Sequence, residues 1–186
     1  MLPDSLNIVL HEASQHLKRH PEYDLLPIHR ERIYNVVISL PNGELMRRWI
    51  DIYTAQFVLP IWEKIWAHYD APKRALGVAE QFLRGEQTID VVEQEIERVW
   101  PLVEELSTNL DIDYYPSADA GQAVAEAISR VSGYERWTPQ NPAYVKLTET
   151  ISDEWLHVFM SDTAKWASFA YAGSISPPAS DKHRRM

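Results

Sequence analysis

Residues 44–67 carry apolar side chains on two neighbouring stripes at helical spacing, and this double pattern constrains the fold more than any other feature. One stripe is Leu45, Trp49, Ile52, Leu59, Trp62 and Trp66, and the other is Met46, Ile50, Tyr53, Phe57, Ile61 and Ile65. A helix that is apolar over most of its circumference is normally buried among other helices. We therefore predict that this segment is the central helix of a bundle, kinked at Pro60 because proline removes one backbone hydrogen bond.

Helical patterns separated by proline and glycine turns cover most of the remaining chain, whereas strand alternation is nearly absent. Apolar residues recur every three or four positions after Asp4, Pro27, Pro72 and Thr88, and again in two later segments. The turns between these segments are short, which favours antiparallel neighbours. The sequence thus predicts an all-α fold, a bundle of about six to seven helices built on antiparallel helix hairpins.

The length and composition favour one folded domain followed by a tail. A chain of 186 residues with 45% hydrophobic content can bury a sizeable core within a single domain. From Gly173 onward the composition turns to serine, proline and basic residues, which cannot form a core. We expect a helical domain over residues 1–172 and a disordered tail over residues 173–186.

Negative charge is concentrated between residues 86 and 126. This stretch has eleven carboxylates and one cation, Arg98, which gives 1 − 11 = −10 on a chain whose net charge is −9. The carboxylates are Glu86, Asp90, Glu93, Glu95, Glu97, Glu104, Glu105, Asp111, Asp113, Asp119 and Glu126. Such a surface attracts basic proteins and repels phosphate backbones, although a run of this kind is often only a solvated helix face. Nucleic-acid binding is further disfavoured because the basic residues are dispersed.

The sequence lacks the usual signatures of catalysis. Cysteine is absent, and there is neither a Gly-x-Ser-x-Gly elbow nor a glycine-rich phosphate loop. His11-Glu12 followed by His16 fails as a zinc-protease helix, because that site needs histidines four residues apart. Glu154 and His157 have the spacing of a di-iron half-site, but no second Glu-x-x-His occurs. We therefore predict no enzyme, no metal and no cofactor, with an α-helical metal-binding protein or enzyme using Glu154 and His157 as the alternative.

One region resembles a known family. The residues that carry the resemblance are Val58-Leu59-Pro60-Ile61-Trp62-Glu63, Asp70-Ala71-Pro72-Lys73, Leu76-x-x-Ala79-Glu80 and Leu83-Arg84-Gly85-Glu86. This pattern is similar to the central helix hairpin of the all-α immunity proteins of bacterial polymorphic toxin systems, the family called immunity protein five. The resemblance covers about 29 residues at the hairpin, within a chain that is helical elsewhere.

The resemblance implies a small protein that binds and neutralises a cognate toxin domain. Many toxin domains are basic because they act on nucleic acid, so an acidic helix face suits such a partner. Our candidate partner-binding residues are therefore Asp90, Glu93, Glu97, Glu104, Tyr114 and Tyr115. The N-terminus lacks a basic leader and no apolar run is long enough to span a bilayer, so we expect a cytoplasmic protein with no membrane partner. A non-catalytic helical adaptor would show the same acidic surface and remains a further alternative.

Overall fold

The computed structural model of the protein describes residues 3–19, 27–108, 114–133 and 163–175. Within these ranges the chain forms seven helices and no strand. The helices are α1 (Asp4–Arg19), α2 (Pro27–Ser39), α3 (Gly43–Trp66), α4 (Ala71–Leu83), α5 (Ile89–Ser107), α6 (Tyr115–Ser132) and α7 (Thr163–Ile175). The predicted all-α fold of six to seven helices is confirmed.

The chain divides into two compact units, Met1–Arg48 and Trp49–Met186. The prediction of one domain over residues 1–172 stays a prediction. Helix α7 continues to Ile175, past the predicted end of that domain. The rest of the predicted tail, residues 176–186, lies outside the described ranges.

The first unit has a small core between α1 and α2. Leu6, Val9 and Val37 are its buried members. An ion pair between Arg32 and Glu12, 2.6 Å long, joins the same two helices at the surface. Exposed pairs of this kind contribute about 1 kcal/mol or less, so the few apolar contacts provide most of the packing energy in this unit.

The turn from α2 into α3 requires glycine at position 43. The Gly43 amide donates a 2.8 Å hydrogen bond to the Leu40 carbonyl, and Asn42 before it has a φ of 59°. A Cβ atom at Gly43 would lie 2.2 Å from the Val37 carbonyl oxygen and 2.4 Å from that of Ile38. Both neighbours are backbone atoms, so the turn has no space for a side chain.

Helix α6 is the centre of the second unit. Its residues from Pro116 to Ser129 are buried almost without interruption, and α4, α5 and α7 all pack on it. Helix α3 also reaches it, because the Ser117 hydroxyl donates a 2.8 Å hydrogen bond to the Ile61 carbonyl. The buried alanines explain this position, since small side chains let four helices approach one axis. They are Ala118, Ala120, Ala123, Ala125 and Ala127.

The prediction that residues 44–67 form the central helix is therefore wrong. Helix α3 buries Ile52, Trp62 and Trp66 of the first apolar stripe but leaves much of the second stripe exposed. Tyr53 is 58% exposed and Phe57 is 67% exposed. The apolar pattern identified the helix correctly but could not show that much of its second stripe stays exposed.

Helices α3 and α4 form the predicted antiparallel hairpin. Near the connecting turn, Lys73 contacts Glu63 at 3.0 Å, and at the far end the Arg84 guanidinium lies 5.7 Å from the centre of the Trp49 ring. Helix α4 begins with Pro72 in its first turn and is followed by Gly85, whose φ of 78° allows the chain to leave the helix. Proline and glycine thus set both ends of this short helix, as the sequence predicts.

Trp62 occupies the interface between α3 and α6. The side chain is 1% exposed, its ring centre is 4.7 Å from that of Trp66, and Nε1 donates a 3.2 Å hydrogen bond to the Tyr69 carbonyl. Gly121 of α6 faces the indole, and a Cβ atom there would lie 2.6 Å from Trp62 Cζ3. A glycine and a tryptophan thus fit together where the two helices cross.

Candidate functional site

The four candidate acidic residues of α5 form one exposed stripe. Asp90, Glu93, Glu97 and Glu104 are all exposed, while Val92, Ile96, Val99 and Val103 are buried in the core. At about 100° per residue, the four carboxylates fall within an arc of about 60° and extend along about 21 Å of the helix. We call these four residues the acidic stripe.

The eleven carboxylates of residues 86–126 differ in their exposure to solvent. Three of its eleven carboxylates, Glu95, Asp119 and Glu126, are buried. Asp111 and Asp113 lie outside the described residues, and the other six are exposed. The accessible negative charge therefore belongs mainly to α5, and α6 contributes packing rather than an acidic face.

Glu95 has a structural role that the sequence analysis missed. Its side chain is 5% exposed and contacts two arginines, Arg74 of α4 at 3.0 Å and Arg98 of α5 at 2.6 Å. A buried carboxylate needs such partners because burial removes its water. Position 95 lies on the same side of α5 as Val92 and Val99, and this position within the apolar face could have predicted the burial of Glu95.

The two candidate tyrosines lie at the N-terminus of α6. Tyr114 precedes the helix, is 40% exposed, and stacks on the buried Trp66 with ring centres 6.5 Å apart. Tyr115 is the first residue of α6 and is partly buried. Tyr114 thus has an exposed edge on a rigid support, which suits an interface anchor better than the partly buried Tyr115.

The metal-binding alternative depends on residues beyond the described part of the chain. Glu154 and His157 lie outside it, so the structure does not bear on that pair. Among the residues described, no three histidines or acidic residues are grouped so that they could hold a metal ion. No helix in those same ranges is long and apolar enough to cross a membrane.

Comparison with known proteins assigns the chain to a family. No curated protein matches it. The model of a family described as immunity protein Imm5 matches residues 7–186, which include the hairpin of α3 and α4 and the acidic stripe. With that match extending over almost its entire length, the chain belongs to the Imm5 family of immunity proteins.

Proposed function

We propose that this protein neutralises a cognate bacterial toxin domain by binding it through the acidic stripe of α5, without catalysis. The observation that supports the proposal is the exposure of Asp90, Glu93, Glu97 and Glu104 on one side of a single helix. Membership of the immunity family implies a protein toxin as the partner. Because the stripe is negatively charged, we infer that the toxin binds it through a basic surface, of the kind that binds nucleic acid.

The stripe suits a phosphate mimic in the sign of its charge and in its linear arrangement. Its four carboxylates lie along about 21 Å of one helix, a length over which a DNA strand carries about six phosphates. Among the described residues, no cation forms an ion pair with Asp90, Glu93 or Glu97. Their negative field is therefore directed at solvent, where it accelerates the encounter with a positively charged protein.

Co-expression provides the direct test. The candidate toxin is the C-terminal domain of a large protein encoded next to this one, and it should arrest growth when expressed alone. We expect co-expression with the full immunity chain to restore growth and to yield a complex that purifies intact. A toxic domain that is neither neutralised nor bound would contradict the proposed function for that pair.

Charge reversal should slow formation of this complex. The variant Glu93→Lys/Glu97→Lys changes the stripe by four charge units, so we expect the association rate to fall about tenfold or more at low salt. Stopped-flow measurement at two ionic strengths should also show a weaker salt dependence than for the unmodified chain.

A matched control separates local from total charge. Glu31→Lys/Glu86→Lys makes the same change at two exposed positions outside the stripe. This control should retain most of the association rate. Equal slowing by both double variants would show that only net charge matters and would remove the acidic stripe from the interface.

Neutral substitutions should affect folding and binding in opposite directions. Glu93 and Glu97 are one helical turn apart, and like charges at that spacing destabilise a helix by about 0.2–0.5 kcal/mol. Glu93→Gln/Glu97→Gln should therefore raise the free energy of unfolding slightly, as measured by urea denaturation, while toxin association becomes slower. A variant that is both less stable and slower to bind would instead indicate that the two carboxylates support the fold.

A further inference from the structure

A second exposed surface lies on α3, away from the acidic stripe. Ile50, Tyr53 and Phe57 are 36%, 58% and 67% exposed, and Pro60 continues the same side of the helix. Tyr171 of α7, 46% exposed, extends the surface sideways, with its ring centre 5.5 Å from that of Phe57. We call these five residues the aromatic strip. The strip and the acidic stripe lie on different helices, and α4 forms an ion pair with each of the two, Lys73 with Glu63 of α3 and Arg74 with Glu95 of α5.

The strip has the spacing of a helix-packing seam. Positions 50, 53, 57 and 60 are separated by three, four and three residues, which keeps them on one side of α3 within about 80°. The same three-and-four spacing lines the contact between packed helices. Contiguous apolar surfaces of this kind on a folded protein usually mark an interaction site.

Charge distinguishes the strip from its surroundings. None of its five members is charged, and Lys64, exposed on the same side of α3, follows it one turn beyond Pro60. The chain as a whole carries a net charge of −9, and the acidic stripe concentrates much of it on another helix. Two copies of this protein, each with this net charge, repel one another overall, and contact through two uncharged strips adds nothing to that repulsion.

We propose that the aromatic strip is the contact between two copies of this chain in a symmetric dimer. A two-fold interface uses the same patch on both copies, so that patch must be compatible with itself. The strip meets this requirement, because a two-fold axis between positions 53 and 57 would set Tyr53 of one copy against Phe57 of the other. Aromatic pairs add about 0.5–1.5 kcal/mol each beyond the apolar area that they bury. The acidic stripe then stays free on each copy.

The oligomeric state of the full chain tests this assignment. Sedimentation equilibrium of the purified protein should show a concentration-dependent dimer. Phe57→Lys and Phe57→Glu should both shift it to monomer, raising the dimer dissociation constant at least tenfold while helix content is unchanged. The lysine variant is the stricter test. It lowers the net negative charge and so weakens the repulsion between copies, which by itself would favour the dimer.

Ile8→Glu is the matched control, because Ile8 of α1 is also an exposed apolar residue, at 57% against 67% for Phe57. The control variant should dimerise like the unmodified chain. Added salt should strengthen the dimer, because salt screens repulsion between two negative proteins, whereas it should weaken the complex with a basic toxin. This opposite response distinguishes the two surfaces, and the dimer does not depend on the proposed toxin binding.

Three results would overturn the proposal. One is an unmodified chain that stays monomeric at all concentrations, and another is a dimer that survives both Phe57 variants. The third is a monomer whose toxin binding is lost in Phe57→Lys, which would make the aromatic strip a toxin contact instead.

Discussion

Replacing Trp62 by alanine should lower the free energy of unfolding by about 3–5 kcal/mol, which is a large fraction of the stability of an ordinary domain. The indole is almost completely buried between α3 and α6, and its removal leaves a cavity lined by Trp66, Val103 and Gly121. The hydrogen bond from Trp62 Nε1 to the Tyr69 carbonyl is lost as well. Urea denaturation followed by far-UV circular dichroism measures the loss.

Gly121 provides a second variant that tests the same contact. Gly121→Ala alone should destabilise the protein by about 1–2 kcal/mol. The new methyl group collides with Trp62, and the free-energy cost of that collision exceeds the gain in helix propensity from alanine. In the Trp62→Ala background the collision with the indole is absent and only the 3.1 Å approach to Val103 Cγ2 remains, so the same change should stabilise by up to about 1 kcal/mol. The double-mutant cycle should therefore show a coupling of about 1–3 kcal/mol. Additive effects of the two changes would contradict the packing of Trp62 against Gly121.

The second large effect is expected at Gly43. Gly43→Ala places a methyl group against two backbone carbonyls, which cannot move aside as a flexible side chain can. We expect a loss of about 3 kcal/mol, at the upper end of the usual range for overpacking. The loss should be felt mainly in residues 4–39, because the core of that unit is small.

Gly77 is the natural control for this change. A Cβ atom at Gly77 has no atom within 4 Å, and the residue lies inside α4. Gly77→Ala should therefore stabilise the protein by up to about 1 kcal/mol through helix propensity. Native-state hydrogen exchange should show faster opening of α1 and α2 in Gly43→Ala, with α6 still protected. Similar behaviour of the two alanine variants would show that the turn adjusts to a side chain.

Local signals were sufficient to predict the fold class. Apolar spacing identified the helices, and residues such as Pro72 and Gly85 identified where one helix begins or ends. These patterns depend only on residues close together in the sequence, so they predict helices whatever the packing of those helices. The choice of central helix could not be predicted in this way. Helix α6 is central because its alanines permit close approach, whereas the larger side chains of α3 gave the stronger apolar pattern.

The candidate surface was predictable to the extent that helix geometry determines it. Exposure of Asp90, Glu93, Glu97 and Glu104 follows from their spacing opposite an apolar stripe. The burial of Asp119 and Glu126 did not follow, because it depends on four helices surrounding α6. Tyr114 likewise needed the fold, since its support, Trp66, is distant in the sequence.

The central position of α6 also determines when during synthesis the second unit can fold. Helix α3 ends at residue 66 and α6 at residue 132, so the ribosome adds 132 − 66 = 66 residues between them. At about 5–20 residues per second, α3 waits about 3–13 seconds for the helix on which it packs, and α4 and α5, which are made later, wait for shorter times. Their apolar faces meet chaperones or neighbouring chains during that interval. The core of the second unit is therefore completed only after most of the chain has been made.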